Sequence, residues 1–408
     1  MRNRRLNQNP DVIVIGAGAS GMTASVKAAE RDKNVLLLDK NDAPGRKIIA
    51  SGNGRCNIMN TGMTRYYGDT GFAERVLKNN TADDIRDFFR NYGLLLAQET
   101  EGRVYPCTFQ SASVLSVLKN AMEINGVQLK TSTIISSVSH QNGCFQVTDS
   151  CGSIWQSDRL IIACGGPAQP RLGGTDDGYA FLRGMGHHIV PEAPSLVPLY
   201  TDKKSISGLS GIRARGKVSL YDRNELLHSA EGEILFTDYG ISGICVMQCS
   251  RFIRSQKSVM EINFLHGYFE KEDEFCKELV RRQKMYQDSS PVSMLEGIVA
   301  SRIAYAVMKQ AGVPLKGEKA GDLPIELLHR IAETIFHYRI SIEGTRGFDY
   351  AQVTAGGADC SEFDPDTMQS TIVPGLFAAG EVLNVDGDCG GFNLMFAFSS
   401  GLSAGASV

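Results

Sequence analysis

The sequence predicts an α/β protein whose main domain has the Rossmann-like topology of dinucleotide-binding proteins. Three consecutive features near the start of the chain support this prediction. Residues 11–15, DVIVI, are a short β-branched apolar run typical of a buried parallel strand. The pattern G-x-G-x-x-G follows as Gly16, Gly18 and Gly21, and a helical stretch then leads to a second strand, NVLLLDK, which carries Asp39 near its end. This order of strand, glycine turn, helix, strand and acid indicates a phosphate-binding βαβ unit.

Each of these positions has a role in binding a dinucleotide. Gly16 permits the tight turn, Gly18 lets backbone N–H groups approach a pyrophosphate, and Gly21 lets the helix pack closely on the strand. The pyrophosphate then lies at the helix N-terminus, where unpaired N–H groups favour anions. Asp39 is expected to accept hydrogen bonds from the ribose hydroxyls. The unit by itself does not distinguish NAD from FAD.

Two later segments favour FAD. The first is GRKIIASGNGRCNIMN, residues 45–60, which is too rich in glycine for a helix and too polar for a core strand, so a loop is predicted. Its cations Arg46 and Lys47 can contact phosphate, and the backbone of 52–54 can lie flat against a ligand. Rossmann domains that bind only NAD usually continue directly to a helix and a third strand.

The second segment is the C-terminal one. GLFAAG predicts a buried strand that ends at Gly380 and is followed by Glu381, and GDCGGFN opens a helix. Ala397, Gly401 and Gly405 are spaced by four in that helix and form a face that another backbone can approach closely. Its positive end, placed near the flavin pyrimidine ring, would tune the electronics of the flavin. The alternative is a glycine-rich terminal helix that only packs on the sheet.

The middle of the predicted FAD domain contains a small β-meander. Asn142-Gly143 is a strong two-residue hairpin signal between alternating runs. The apolar strand RLIIAC and the pair Gly165 and Gly166 follow. We expect Ile135 to meet adenine through its backbone, and the two glycines to return the chain towards the cofactor.

An insertion is expected after a cluster of three prolines between 191 and 198. Short alternating runs such as KVSLYD and SVMEINFL then suggest a small barrel, and DEFCKELVRRQKMYQD and PIELLHRIAETIFHY show helical periodicity. The predicted division is an FAD-binding domain (first part, 1–193), an inserted β-barrel-like subdomain (194–268), an inserted helical subdomain (269–344) and the second part of the FAD-binding domain (345–408).

These motifs resemble a known family. GRKIIASGNGRCN is similar to the pattern G-R-K-x-x-x-S-G-x-G-R-C-N of bacterial FAD-dependent oxidoreductases known as aminoacetone oxidase-like or 3-dehydro-bile acid Δ4,6-reductase-like flavoproteins. More distantly, the chain resembles the fumarate reductase and succinate dehydrogenase flavoproteins. The resemblance continues through GRVYP (102–106), GGTDDGY (173–179), PSLVPL (194–199), GEILFTDYGISG (232–243), VTAGG (353–357) and GLFAAGEVLNVDGDCGGFN (375–393).

The resemblance implies a glutathione-reductase-type FAD domain with the two insertions above. It also implies FAD contacts from the motif residues of both chain ends, with Asp39 standing where many FAD enzymes have glutamate. The predicted cofactor-binding residues are Gly16, Gly18, Ala19, Ser20, Gly21, Asp39, Lys40, Arg46, Lys47, Asn53, Gly54, Arg55, Cys56, Asn57, Ile135, Gly165, Gly380, Glu381, Gly391, Asn393 and Leu394.

The sequence names no catalytic acid or base. Candidates for the substrate side are Arg55, Cys56, Arg103, Tyr105 and Arg171. For Arg55 a role as a cation near FAD is favoured over substrate binding, and for Cys56 simple packing is favoured. His187 and His188 follow a helix end, where a capping role is favoured over catalysis.

The resemblance suggests an enzyme that reduces an enone-type C=C bond of a steroid-like or bile-acid-like substrate through FAD. The insertion has no second G-x-G-x-x-G, so NAD(P)H, if it is the electron donor, must dock transiently. The alternatives are a flavin oxidase of a small amine that produces hydrogen peroxide, and a non-catalytic flavin-binding scaffold or sensor. A flavoprotein acting on tRNA is disfavoured because no basic face is indicated.

Composition limits the other classes of partner. The net charge of −3 gives no footprint for nucleic acid or an anionic membrane, and no apolar run is long enough to span a bilayer. The start, MRNRRLNQNP, is not followed by the apolar run of a signal peptide. Ten cysteines without C-x-x-C pairs or a metal-type cluster fit reduced thiols. We therefore expect a cytoplasmic protein with a small-molecule substrate, no metal, and no nucleic-acid or membrane partner.

Overall fold

The computed structural model describes residues 9–63, 65–253, 255 and 258–408. Its strands, in chain order, are β1 Val12–Ile15, β2 Val35–Leu38, β3 Met59–Asn60, β4 Tyr66–Gly68, β5 Leu96–Gln98, β6 Arg103–Pro106, β7 Gln128–Lys130, β8 Ile135–Gln141, β9 Cys144–Asp149, β10 Ile154–Ser157, β11 Arg159–Ile162, β12 Ile189–Ser195, β13 Leu199–Thr201, β14 Arg213–Asp222, β15 Glu225–Phe236, β16 Gly240–Ser242, β17 Ser258–Asn263, β18 Tyr338–Thr345, β19 Val353–Ala358, β20 Leu376–Ala378 and β21 Val385–Gly387. Its α-helices are α1 Ala19–Glu30, α2 Arg46–Ala50, α3 Thr70–Asn79, α4 Ala82–Asn91, α5 Ser111–Asn125, α6 Asp177–Gly184, α7 Ile244–Cys249, α8 Glu272–Met285, α9 Ser301–Gln310, α10 Ile325–Phe336 and α11 Phe392–Ser407. The backbone divides into two compact units, the first running up to Ala193 and resuming at 352–408, and the second comprising 194–351.

The first unit is built on a five-stranded parallel sheet in the order β20-β11-β1-β2-β7. β1 lies at its centre and pairs in parallel with β11 on one side and β2 on the other. Every residue of β1 and β2 is buried, as expected for strands covered on both faces. Burial of each branched side chain stabilises the fold by roughly 1.5–3 kcal/mol. The predicted Rossmann-like α/β architecture is confirmed.

The C-terminal helix packs against the first helix through small residues. A Cβ added to Gly401 would lie 2.6 Å from the Ser20 carbonyl oxygen, and one added to Gly405 would lie 2.3 Å from that of Ala24. Side chains larger than hydrogen would therefore push α11 away from α1. The row of small residues spaced by four does allow the close approach of two backbones that the sequence predicts.

The meander expected between the two parts of the sheet is present as β8, β9 and β10, which form an antiparallel three-stranded sheet. Asn142 and Gly143 connect β8 to β9 with φ of 53° and 78°. Two successive positive φ values are what a type I′ hairpin turn requires, and Asn-Gly supplies them at low cost.

The second unit contains a closed barrel in the order β13-β16-β15-β14-β17-β18, so the predicted barrel is confirmed. The helices α8, α9 and α10 lie in the chain between β17 and β18 and share one hydrophobic core with the barrel. The last barrel strand, Tyr338–Thr345, lies almost entirely within 269–344, where the sequence predicts a helical subdomain. Its alternating burial is that of a strand with one face in the core, so helix and barrel are not divided as the predicted boundaries place them.

A second difference concerns GRKIIASGNGRCN, for which a loop is predicted. Residues 46–50 form the short helix α2, preceded by Gly45 with φ of 72°. A 3-10 turn at 51–54 follows, in which Gly52 and Asn53 are left-handed. The prediction of a loop is wrong for the first half because the glycines lie on either side of RKIIA and not within it. Within the described part of the chain, no helix is long and apolar enough to cross a membrane.

Candidate functional site

The candidate site lies at the carboxyl edge of the parallel sheet. In parallel strands all carboxyl ends meet at one edge, and ligands of open α/β sheets bind in the crevice outside it. Gly16 directly follows β1, and Asp39 directly follows β2. Gly165 lies three residues after β11, and Glu381 lies three residues after β20. Predicted site residues from both ends of the chain therefore meet along one edge of one sheet.

The three motif glycines differ in what surrounds them. A Cβ on Gly16, whose φ is 105°, would lie 2.4 Å from the Ala163 carbonyl oxygen, and one on Gly21 would lie 1.8 Å from the Gly16 carbonyl oxygen. Both positions therefore require glycine for the fold itself. Gly18 precedes α1 as its N-cap, and a Cβ there would meet no atom of the protein within 4 Å. The space in front of the α1 N-terminus is open, as an approaching anion requires.

Asp39 is buried and holds the turn between β1 and α1. Its Oδ2 accepts a hydrogen bond from the Ala17 N–H at 2.6 Å, and its Oδ1 accepts one from the Asn41 N–H at 2.7 Å. The carboxylate also lines a cavity. The cavity is lined by Ile15, Gly16, Leu38, Asp39, Lys40, Asn41, Thr133, Ile135, Cys164, Gly173, Thr175, Asp177 and Phe181. A carboxylate beside the motif turn and an apolar wall suit a ribose and an adenine ring.

Lys47 and Glu381 form an ion pair at the β20 side of the same edge. Lys47 Nζ lies 2.7 Å from Glu381 Oε2, and both side chains are partly buried. Glu381 Oε1 accepts a hydrogen bond from the Thr354 N–H at 2.9 Å. A Cβ on Gly165 would lie 3.8 Å from Glu381 Oε2, so the pair adjoins the glycine turn after β11. Two predicted site residues 334 positions apart are thus in direct contact.

Gly380 and Ser20 connect this pair to the first helix. Gly380 has φ of 79°, and a Cβ there would lie 2.5 Å from Ser20 Oγ. Ser20 Oγ donates to the Ala379 carbonyl oxygen at 3.2 Å, and the Gly380 N–H donates to Ser400 Oγ at 3.0 Å. The end of β20 is therefore held against both α1 and α11.

In the second half of GRKIIASGNGRCN the backbone is exposed to solvent and the Cys56 thiol is buried. Asn53 and Gly54 are exposed, and a Cβ on Gly54 would meet nothing within 4 Å. Cys56 is fully buried, and burial raises the pKa of its thiol to about 11 while a hydrogen bond with Ser51 lowers it. A thiol with such a pKa stays protonated near neutral pH and is a poor nucleophile, which supports packing as the role of Cys56.

Arg55 lies in a compact cluster with Tyr105. Its guanidinium carbon is 4.5 Å from the centroid of the Tyr105 ring and 4.7 Å from that of Phe109. Arg55 Nη2 also donates to Glu99 Oε1 at 3.1 Å. Stacking and an ion pair hold this arginine in place and partly neutralise its charge.

The N-terminus of α11 forms the far end of the candidate site. A Cβ on Gly391 would lie 2.8 Å from Asn57 Oδ1, and one on Gly390 would lie 4.0 Å from Arg103 Nε. Asn57 Oδ1 accepts a hydrogen bond from the Val104 N–H at 3.2 Å. The side chain of Asn393 makes two hydrogen bonds with the backbone of Gly387. Its Oδ1 accepts from the Gly387 N–H, and its Nδ2 donates to the Gly387 carbonyl oxygen. The start of α11 is therefore fixed by asparagines and adjoins Arg103.

Comparison with known proteins identifies the group to which this arrangement belongs. The family model described as HI0933-like protein Rossmann domain matches residues 10–407. The chain belongs to the HI0933-like family. The predicted recognition is confirmed, and the chain is a flavin-dependent oxidoreductase.

Individual relatives of this HI0933-like chain match over nearly its whole length. It is 34% identical to a 3-dehydro-bile acid delta(4,6)-reductase of Clostridium scindens, over 96% of this chain and 97% of the relative. It is 28% identical to a ribosomal RNA dihydrouridine synthase of Escherichia coli, over 96% of each chain. A solved flavocytochrome c3 fumarate reductase shares 14% identity, covering 99% of this chain and 78% of that one with a TM-score of 0.47.

Some predicted site residues of the HI0933-like chain lie away from the carboxyl edge of the sheet or make contacts other than the predicted ones. Arg46 Nη2 pairs with Asp42 Oδ1 at 2.5 Å on the surface. Arg171 is exposed in a 3-10 turn. His187 is buried, with Nδ1 2.9 Å from Glu362 Oε2, and burial lowers its pKa. A phosphate contact from Arg46 and a substrate contact from Arg171 remain predictions.

Sequence reasoning missed one side of the cavity. Gly173, Thr175 and Asp177 line it, although GGTDDGY is among the motifs on which the family resemblance rests. A Cβ on Gly173 would lie 2.4 Å from Asn41 Nδ2, so this turn packs directly beside the end of β2. The sequence signal for this side of the cavity is the glycine pair and the two acids of GGTDDGY, at the start of helix α6. Within the described ranges, no group of three or more histidine, cysteine or acidic side chains is arranged to hold a metal ion.

Proposed function

We propose that this protein binds FAD along the carboxyl edge of its parallel sheet and reduces a carbon–carbon double bond conjugated to a carbonyl group. The observation that carries the reaction is the 34% identity over nearly the full length of a 3-dehydro-bile acid delta(4,6)-reductase. The name of that relative describes saturation of double bonds conjugated to a 3-ketone. The substrate proposed here is accordingly a steroid-like or bile-acid-like enone.

The residues present fit FAD at both ends of the edge. The open space at Gly18 leaves the N–H groups of α1 free to bind the pyrophosphate. The cavity beside Asp39 and Ile135 would take the adenosine. The Lys47–Glu381 pair and the start of α11 at Gly391 would orient the flavin ring. The remaining predicted cofactor-binding residues are likewise proposed to contact FAD.

Bound FAD supplies the hydride chemistry, so the chain must bind the substrate carbonyl and deliver a proton. Arg103 is suited to the carbonyl, because it adjoins the loop before α11 and carries a charge only partly offset by Glu101 at 2.6 Å. Tyr105, on the same strand, is buried and stacks against the guanidinium of Arg55. NAD(P)H is proposed as the transient donor of electrons, and the cytoplasm as a compartment that keeps exposed thiols such as those of Cys107 and Cys151 reduced.

A second candidate substrate is uridine in RNA. The relatives named ribosomal RNA dihydrouridine synthase are 28% and 29% identical to this chain over 96% and 99% of it. Saturation of the uracil ring also reduces a double bond conjugated to a carbonyl, so the two candidates share one reaction class. The net charge of −3 favours the small molecule, since RNA binding draws largely on clustered lysine and arginine.

The test is a substrate screen under anaerobic conditions. Purified protein saturated with FAD is mixed with NADH or NADPH and then with a 3-oxo-4,6-diene bile acid or a uridine-containing RNA. We expect bleaching of the flavin absorbance by the nicotinamide, recovery on addition of the bile acid, and a product with two more hydrogen atoms by mass spectrometry. Recovery with RNA alone would instead assign the second candidate. Bleaching only by aminoacetone, with peroxide formed in air, would refute the reductase.

A further inference from the structure

The hydroxyl group of Tyr105 differs from those of the other buried tyrosines. Only 8% of the Tyr105 surface is exposed, and its hydroxyl makes no hydrogen bond to the described residues. The other three buried tyrosines of the described chain each donate a hydrogen bond to a backbone carbonyl oxygen, as Tyr66 does to Phe392 at 2.8 Å. Buried polar side chains are nearly always hydrogen-bonded, so the Tyr105 hydroxyl requires an explanation.

The ring of Tyr105 is fixed, although its hydroxyl is unpaired. The Arg55 guanidinium carbon lies 4.5 Å from the ring centroid, and the centroid of the Phe109 ring lies 5.8 Å from it. Phe109 has φ of 51°, a left-handed conformation that is rare and strained for a bulky side chain. Such strain persists only where the surrounding structure enforces it, and it is concentrated at functional sites. The fold therefore holds the Tyr105 ring in one position at an energetic cost.

The position of Tyr105 on β6 brings it close to the residue proposed to bind the substrate carbonyl. Side chains alternate along a strand, so Arg103 and Tyr105 lie on one face and the fully buried Val104 lies on the other. Residues two apart on a strand are separated by about 6.6 Å. Arg103 adjoins Gly390 in the loop before α11. A ligand whose carbonyl group binds Arg103 therefore comes within reach of the Tyr105 side chain.

The hydroxyl oxygen of Tyr105 is accessible to such a ligand. Within the described residues, the fully enclosed side-chain atoms that lack a hydrogen-bond partner are His140 Nε2 and Arg346 Nε. The unpaired Tyr105 oxygen is not among them, so it keeps accessible surface while most of the ring is covered. An accessible, unpaired hydroxyl on a ring that is held in place is suited to general acid catalysis, since phenols are protonated near neutral pH.

We propose that Tyr105 is the proton donor of the reduction. The inference rests on the proposed function and assigns its proton-transfer step, for which the sequence names no residue. Addition of the hydride that bound FAD supplies moves an electron pair of the conjugated system to the carbonyl oxygen and leaves an enolate beside Arg103. The α-carbon of the enolate then takes the proton of the Tyr105 hydroxyl. The O–H bond breaks, a C–H bond forms, and the phenolate regains a proton from water.

The test uses the full chain loaded with FAD, reduced anaerobically with stoichiometric dithionite and mixed in D2O with the 3-oxo-4,6-diene bile acid. Reoxidation of the flavin gives the rate, and NMR of the product gives the face on which deuterium enters the protonated carbon. Tyr105→Phe keeps the ring against Arg55 and removes an unpaired hydroxyl, so its urea unfolding curve should match that of the wild type. We expect reoxidation to slow roughly a hundredfold or more. Deuterium should enter on one face in the wild type and on both faces in the variant.

Two further variants serve as controls. Tyr92→Phe removes a hydroxyl of the same unit that donates to Glu30 at 2.7 Å, at the opposite end of α1 from Gly18, and it should leave rate and label unchanged. Cys389→Ala removes a thiol whose pKa is raised by burial and lowered by Arg103, and it should keep the label on one face. A product of Tyr105→Phe that is labelled on one face overturns the proposal, even if it forms slowly. Labelling of both faces by Cys389→Ala alone transfers the role to Cys389.

A second measurement distinguishes failure of this inference from failure of the proposed function. Proton transfer in reverse needs no hydride, so the oxidised protein is incubated in D2O with the saturated 3-oxo bile acid at about pH 9, where phenols are partly ionised. Mass spectrometry then measures deuterium exchange beyond that in buffer alone. Exchange that Tyr105→Phe abolishes, without reduction of the dienone by the wild type, refutes the proposed function alone. Reduction of the dienone with exchange and labelling that ignore Tyr105 refutes the inference alone.

Discussion

Gly18 gives the sharpest test of the proposed cofactor site, because alanine there should disturb the ligand and spare the fold. The residue has φ of −83° and ψ of −166°, a conformation open to any residue, and an added Cβ meets no atom within 4 Å. Alanine reduces the freedom of the unfolded chain, which stabilises by about 0.4–1 kcal/mol. It is also a poorer N-cap than glycine, which costs up to about 1 kcal/mol. These effects oppose each other, so the free energy of unfolding should stay within about 1 kcal/mol of the wild type.

The effect on the ligand should be much larger. A methyl group at Gly18 occupies the space through which a pyrophosphate would reach the N–H groups at the start of α1. Each charge-assisted hydrogen bond lost there costs about 1.5–3 kcal/mol, so the affinity for FAD should fall by roughly tenfold to a hundredfold or more. The measurements are the FAD content after gel filtration, titration of the apoprotein by flavin fluorescence, and urea unfolding.

Gly21→Ala is the contrasting variant. Its Cβ would lie 1.8 Å from the Gly16 carbonyl oxygen, so the helix must move from the strand. Such overpacking usually costs about 1–3 kcal/mol or more. Gly21→Ala should therefore lower the free energy of unfolding measured in urea. Gly18→Ala should lower only the affinity for FAD. A folded Gly18→Ala protein that binds FAD as tightly as the wild type would show that no pyrophosphate approaches this turn, and the proposed cofactor site would be wrong.

Two further predictions concern charged side chains. Lys47→Met should weaken FAD binding about tenfold because it removes a cation beside Glu381. Lys27→Met should change it little, because Lys27 pairs with Glu30 at 2.9 Å in the last turn of α1; equal effects of the two changes in fluorescence titration would contradict the assignment. Burial lowers the pKa of His187, so below about pH 6.5 the unfolded chain takes up a proton that the folded protein does not. The free energy of unfolding should then fall by up to about 1.4 kcal/mol per pH unit from this group. His187→Asn should remove that part of the fall in urea titrations, and His188→Asn, at the exposed neighbour, should keep it.

Local patterns were sufficient to predict the first βαβ unit. The turn, the packing of helix on strand and the acid after β2 all depend on residues within about one supersecondary unit of each other, so spacing alone carries the information. The structure agrees with this prediction at Gly16 and Gly21, because a Cβ at either position would clash with backbone atoms. The cavity wall at Gly173 was not predictable in this way, because its meeting with Asn41 depends on how two distant turns pack.

The last barrel strand was missed for a different reason. Tyr338, Ile340 and Ile342 alternate with exposed residues, which is a readable strand pattern. It follows directly on α10, so the helical periodicity up to Phe336 was extended too far.

The candidate cofactor site depends on the two ends of the chain packing on each other, so the N-terminal motif alone does not describe it. The Ser20 hydroxyl donates to the Ala379 carbonyl oxygen, and Gly401 in α11 approaches the backbone of Ser20 so closely that a Cβ would lie 2.6 Å away. The turn between β1 and α1 is thus fixed from one side by β1 and from the other by α11. In the proposed site the N-terminus of α11 would face the flavin, so this packing contact would also position the flavin end of the site relative to the pyrophosphate end. With FAD bound as proposed, a side chain at Gly401 would therefore displace both ends of the cofactor site at once.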